Sequence, residues 1–294
     1  DAGDVPVLRR AAGALHACGG GLVGTTAPAL KGGPHGGSVW PGLQPGTRLG
    51  GTGRTDAWWA APLATALGLG GFVVYATWRA FEGIHYEVGP YLSPFFSPHF
   101  LLVNSWPAWW PGFLRVTPMF ILWMPGGFRA TCYYYRKAYY RSFFLDPPGC
   151  AVDEARGESY KGETSFPFIF QNIHRYFLYL AILVLAFLWW DALRAFRFEG
   201  RFGVGVGTLV LLGNVGLLSL YTFSCHSLRH FMGGNVDCFS RAMAGELRCA
   251  AWTGTSVLNR RHMLWAWLSL FSVGFADLYV RMVAAGAWRD VRLF

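Results

Sequence analysis

A run such as 166–193, FPFIFQNIHRYFLYLAILVLAFLWWDAL, leaves a chain few choices. About 20 apolar residues wound as a helix cover the ~30 Å hydrocarbon core of a bilayer. Only helices and closed barrels satisfy their backbone polar groups there. Four further stretches read the same way, at about 58–80, 108–131, 202–230 and 259–284. Arg115, Pro118 and Pro125 interrupt the one at 108–131, which predicts a kinked or short helix. The fold expected is therefore an all-α, polytopic membrane bundle of about five transmembrane helices.

Composition agrees. Charged residues make up 14% of the chain, against roughly 25% in soluble domains. The net charge of +9 is no nucleic-acid signature, because most basic residues flank apolar runs and act as topology signals. Residues 1–57 are rich in Gly and Pro, contain no apolar signal-peptide core, and read as an extension. Residues 58–294 then form the membrane domain. The loop at 132–166 carries Arg136, Lys137, Arg141, Arg156 and Lys161, and the loop at 81–107 carries no Lys or Arg. That bias predicts a cytoplasmic N-terminus, with Arg194, Arg197 and Arg201 as exceptions on the outer side.

With this topology Cys132, Cys150, His174, Cys225, His226, His230 and His262 all fall at the cytoplasmic end. The stretch at 221–234, YTFSCHSLRHFMGG, is the densest. His226 and His230 are four apart and share one face of a helix. Thiol and imidazole donors without clustered carboxylates suit zinc, or a Rieske-type [2Fe–2S] cluster with two Cys on one iron and two His on the other. The expected ligands are His226 and His230 with Cys132 and Cys150. Cys225 is held in reserve, since it points about 100° away from His226 unless the helix ends there. Interfacial histidines that merely face water are the plainer alternative.

Several segments also resemble a known family: GRTDAWW, YLSPFFSP, FRATCYYYRKAYYRSFFLDPPGCAV, QNIHRYFLYLA, CHSLRH and LFSVGFADLYV. Together they cover about residues 53–285 and are similar to the single membrane-anchor subunit of type F succinate dehydrogenases of mycobacteria and other bacteria. The resemblance implies a multi-pass protein of the bacterial plasma membrane, surrounded by lipid, with flavoprotein and iron–sulfur partner subunits. It implies a Rieske-type cluster in place of haem, a quinone site, and the two-histidine pattern on His226 and His230. The succinate site would belong to a partner.

Quinone reduction needs hydrogen bonds to both carbonyls and a proton source. Tyr133, Arg136, His174, Arg175 and His262 are the candidates; Tyr133 also reads as an interfacial belt residue, Arg136 as a topology or docking charge, and His262 as a donor to a carbonyl that holds the fifth helix in place. A b-type haem between His174 and another helix's histidine is the competing cofactor. A transporter or assembly factor is the competing class, although no internal repeat supports it. Asp277 and Arg281, four apart, are expected to pair within one helix. Gly203, Gly205, Gly207, Gly213 and Gly216 are expected to let helices approach closely.

Overall fold

The structure, a computed structural model, describes residues 50–98, 117–153 and 168–294. The extension up to residue 49, His99, Arg115, and Arg156 and Lys161 within 154–167 lie outside the described residues.

Among the described residues, four helices are long and apolar enough to cross a membrane: α1 (Ala60–Glu82), α4 (His174–Arg194, entered through a 3-10 turn at Phe168–Ile173), α5 (Val206–Phe223) and α8 (His262–Ala284). Between them stands α2 (Thr117–Thr131), a 15-residue helix containing Pro125. It is the described part of the interrupted span read from the sequence. The short α3 (Tyr133–Tyr139) and a π turn at Tyr140–Phe144 follow α2. The described residues thus form a helical membrane bundle in which α5 packs along α8, and α2 along α4.

Helix breaks decide the architecture. The span expected to run to residue 230 stops at Phe223 and restarts at His226 as the four-residue α6 (His226–Arg229), which widens into a π turn at His230–Gly234. The loop expected at 231–258 contains a further helix, α7 (Gly245–Asn259). α2 and α4 touch closely because Gly127 has no side chain: a Cβ there would stand 2.1 Å from the Phe177 ring. Gly207 does the same for Tyr91, whereas Gly213 and Gly216 face open space.

Among the described residues three core clusters fill the bundle, a small one around Leu92, Phe95 and Phe96 and two larger ones. One, at the Cys/His end, joins Phe128, Cys132, Tyr135, Tyr221, Cys225 and Ala266. The other joins Leu185, Leu211, Val215, Ala276 and Val280 towards the opposite end. That opposite end is closed by a folded connection of β1 (Glu87–Val88), β2 (Tyr91–Leu92) and a 3-10 turn at Pro94–Phe96. A second hairpin of β3 (Arg197–Phe198) and β4 (Arg201–Phe202) joins α4 to α5.

A buried ionic network pins this end. Asp277 accepts from Arg79 Nε at 2.8 Å, and also from Tyr75 and Ser93. Arg281 reaches Glu82 across to α1 at 3.1 Å. The expected pair between Asp277 and Arg281 therefore does not form, because each finds a partner on α1. Charges sunk at this depth need ready partners, and Arg79 and Asp277, both 0% exposed, supply them to each other.

Candidate metal centre

Four donors meet at one end of the bundle: Cys132, His174, Cys225 and His262, all buried. Every one sits at a helix boundary. Cys132 and Cys225 occupy extended backbone in the breaks before α3 and α6, with φ, ψ of −65°, 129° and −66°, 140°. A helix ending just before each cysteine turns its thiol inward instead of around the helix surface. His174 and His262 are the first residues of α4 and α8.

The contacts cross. His174 Nε2 lies 3.1 Å from Cys225 Sγ, and His262 Nε2 lies 3.4 Å from Cys132 Sγ. On the other side of each ring, His174 Nδ1 meets Thr131 Oγ1 at 2.9 Å and His262 Nδ1 meets Ser224 Oγ at 2.7 Å. Each imidazole thus bridges one cysteine and the hydroxyl residue that precedes the other.

The hydroxyls select the tautomer. Thr131 Oγ1 donates its proton to the Gly127 carbonyl at 2.7 Å, and Ser224 Oγ donates to the Tyr221 carbonyl at 2.9 Å. A hydroxyl has one proton and two lone pairs, so each can only accept from its histidine. Nδ1 therefore carries the hydrogen in both rings, and Nε2 turns a bare lone pair towards the thiols. An outer-shell bond of this kind orients and sharpens a metal-ligating imidazole.

Aromatic rings clamp the same imidazoles. Phe128 stacks on His174 at 4.7 Å with 5° between planes, and Tyr221 stacks on His262 at 5.2 Å and 21°. Two segments, FRATC at 128–132 and YTFSC at 221–225, thus supply the same parts: an aromatic clamp, a hydroxyl acceptor three residues on, then a cysteine. The buried Tyr221 hydroxyl has no nitrogen or oxygen partner among the described residues; the polar group it meets is the Cys132 thiol, so it donates towards sulfur at this centre.

The donors match a Rieske-type [2Fe–2S] cluster in number and kind, two thiols and two imidazoles. Among the described residues no three metal-binding side chains close on one ion-sized point. Thiols stand against the inward nitrogen of each histidine, where a haem plane would have to lie.

The other expected site residues lie elsewhere. Cys150 is exposed, its carbonyl taken by Arg54 at 2.9 Å. His230 is exposed; its N–H bonds the His226 carbonyl, so the expected shared helical face forms, but on the exposed side of α6. His226 is exposed at the rim, its ring 6.3 Å from that of His262. Tyr133 and Arg175 are exposed, and the Arg136 guanidinium lies over the Tyr133 ring at 4.6 Å. His174 and His262, expected to face quinone, are held inside the four-donor cluster.

One residue not singled out from the sequence connects this cluster to a cavity. Arg129 lies over the Tyr221 ring at 4.5 Å and the Tyr135 ring at 5.5 Å. It donates to Ser269 Oγ at 3.0 Å, the Ala266 carbonyl at 3.2 Å and the Tyr135 hydroxyl. It also lines an apolar cavity of about 380 Å³ with Phe72, Ala76, Phe95, Leu122 and Trp123. The arginine within FRATC, at membrane depth, was the available signal.

No curated protein sequence matches the chain. The Mycobacterium smegmatis Sdh1 complex in the apo form contains a chain that is 44% identical, with a TM-score of 0.75 over 83% of this chain and 94% of that one. The family model of the actinobacterial succinate dehydrogenase subunit SdhC matches residues 60–286. A match spanning the whole membrane bundle, with this agreement of fold, places the chain in the family of actinobacterial succinate dehydrogenase membrane subunits.

Proposed function

We propose that this chain passes electrons from succinate oxidation to a membrane quinone through a Rieske-type [2Fe–2S] cluster held by Cys132, Cys225, His174 and His262. The observation that carries the proposal is the crossed four-donor arrangement, in which both Nε2 lone pairs and both thiols face inward. Family membership supports the succinate context and a flavoprotein and an iron–sulfur subunit as partners, docked on the cluster side of the plasma membrane. The N-terminus would then be cytoplasmic.

When bound, the cluster would supply one-electron transfer. The chain's own residues do the rest. Thr131 and Ser224 hold the ring protons at Nδ1 and keep Nε2 free for iron. Phe128 and Tyr221 cover the imidazole faces and exclude water.

The cavity ending at Arg129 is the best receptor for quinone. It is apolar along its length, as an isoprenoid tail requires, and polar at one end. Arg129 would donate to a quinone carbonyl there. Tyr221, shared by Arg129 and His262, is the direct packing link between cavity and cluster. Tyr133, Arg136 and Arg175 form a more exposed second candidate surface.

The test separates two activities of the assembled complex. Cys225→Ser or His262→Gln should abolish quinone reduction and leave succinate oxidation by a soluble artificial acceptor intact. Quinone reduction at wild-type rate in either variant would overturn the ligand assignment.

A further inference from the structure

The end of the bundle opposite the cluster carries a second cavity of about 510 Å³, formed by the last turn of α4, the β3–β4 hairpin, the C-terminal tail and the turn at Gly89–Pro90. Its size falls within the usual range of ligand pockets. Its lining is basic: Arg194, Arg197 and Arg292 stand against a single carboxylate, Glu199. Among the described residues none of these three guanidinium groups has a carboxylate within ion-pair distance, although Arg79 and Arg281 at the same end are both paired.

The pocket has a rigid floor. Arg292 lies in a bridge with Gly205, and hydrogen bonds from Val206 N to Val291 O and from Leu293 N to Val204 O hold the backbone on either side. Its guanidinium lies over the Phe198 ring at 4.2 Å, which aims it and leaves its N–H edge for a ligand. Arg194 closes the last turn of α4, where the helix dipole favours a cation.

Depth selects the ligand. α4 and α5 are membrane-spanning by length and composition, so their shared end lies at headgroup level. Trp190 lines the pocket, and Leu193, Phe202 and Phe294 are exposed around it, the apolar and aromatic fringe usual at that level. Guanidinium groups bind phosphate oxygens in paired hydrogen bonds, and each Lys or Arg held near a membrane surface adds attraction for anionic headgroups. We propose that Arg194, Arg197 and Arg292 bind the phosphate of an anionic phospholipid. The pocket also accounts for Arg194 and Arg197 as exceptions to the loop-charge bias: they recognise lipid and do not report topology.

The test uses the purified whole complex, washed in neutral detergent and placed in nanodiscs containing phosphatidylcholine and cardiolipin. Lipid retained after re-extraction is counted by mass spectrometry. Wild type should keep cardiolipin over phosphatidylcholine, and Arg194→Gln with Arg197→Gln should lower cardiolipin retention by roughly fivefold per substitution. Arg292→Gln alone, expected to lose one such factor, serves if the double variant fails to assemble. Equal retention in wild type and variants would overturn the site, as would equal retention of the two lipids by wild type. Displacement of the cardiolipin by millimolar inorganic phosphate would show a free-anion site and overturn the lipid assignment.

Discussion

Asp277→Asn offers the sharpest test of how the membrane bundle is held. The wild-type carboxylate receives Arg79 Nε at 2.8 Å, Arg79 Nη2 at 3.4 Å, and the hydroxyls of Tyr75 and Ser93. Asparagine keeps the shape and removes the charge. Arg79, 0% exposed, is then left with Glu82 as its one carboxylate partner. Breaking a buried pair from one side costs about 3–5 kcal/mol. At about 2–4 °C per kcal/mol for a domain of this size, thermal unfolding of the complex should fall by on the order of 10 °C. Replacing both partners, Arg79→Met with Asp277→Leu, should cost less than Asp277→Asn alone, because no orphaned charge remains. The assay is thermal unfolding of wild type, Asp277→Asn, Arg79→Met, Asp277→Leu and the double variant in one lipid composition. A drop of under about 2 °C for Asp277→Asn, or a double variant worse than the sum of its singles, would refute the reasoning.

Other expectations follow from the same contacts. Ser224→Ala removes the acceptor that holds His262 in its Nδ1–H tautomer, and should weaken cluster retention by about 10–100-fold, read as iron and labile sulfide lost to a chelator. Gly127→Ala drives a methyl into Phe177 and should separate α2 from α4, read as lost cluster and poorer assembly; Phe177→Ala in the same chain should restore part of both. Arg129→Met should raise the KM for quinone and leave the cluster's spectrum in place, because Arg129 touches Tyr221 and the cavity but no donor.

The membrane character of this chain was legible because apolar length is a one-dimensional signal. Runs that predict spans at 58–80, 166–193 and 259–284 correspond to α1, α4 and α8 within a few residues, and the family resemblance agrees with the match over 60–286. The centre was harder to read, since its geometry depends on where helices stop. A helix assumed to continue through residue 230 puts His226 and His230 on one face and Cys225 off it. The break at Ser224–Cys225 leaves that face intact but exposed, and turns Cys225 inward beside His174. The condition attached to Cys225, that it serve only if the helix ends there, is the one the structure meets.

His174 and His262 were visible as residues near the right end, but their rings could not be aimed without knowing that Thr131 and Ser224 sit behind them. The two matching segments, FRATC and YTFSC, carried that information as a repeat too short and degenerate to stand out by itself. Partners distant in sequence hid the network at the other end as well: nothing local separates an Asp277–Arg281 pair from Asp277 with Arg79, about 200 positions away.

The most direct measurement is low-temperature EPR of the dithionite-reduced complex, comparing wild type with Cys225→Ser, Cys132→Ser, Cys150→Ser and His230→Ala, with an optical spectrum of each sample. The account predicts a rhombic Rieske-type signal without haem bands in wild type, retained in Cys150→Ser and His230→Ala and lost in Cys132→Ser and Cys225→Ser. A signal that survives Cys225→Ser and disappears with Cys150→Ser or His230→Ala, or haem bands with no such signal, would contradict it.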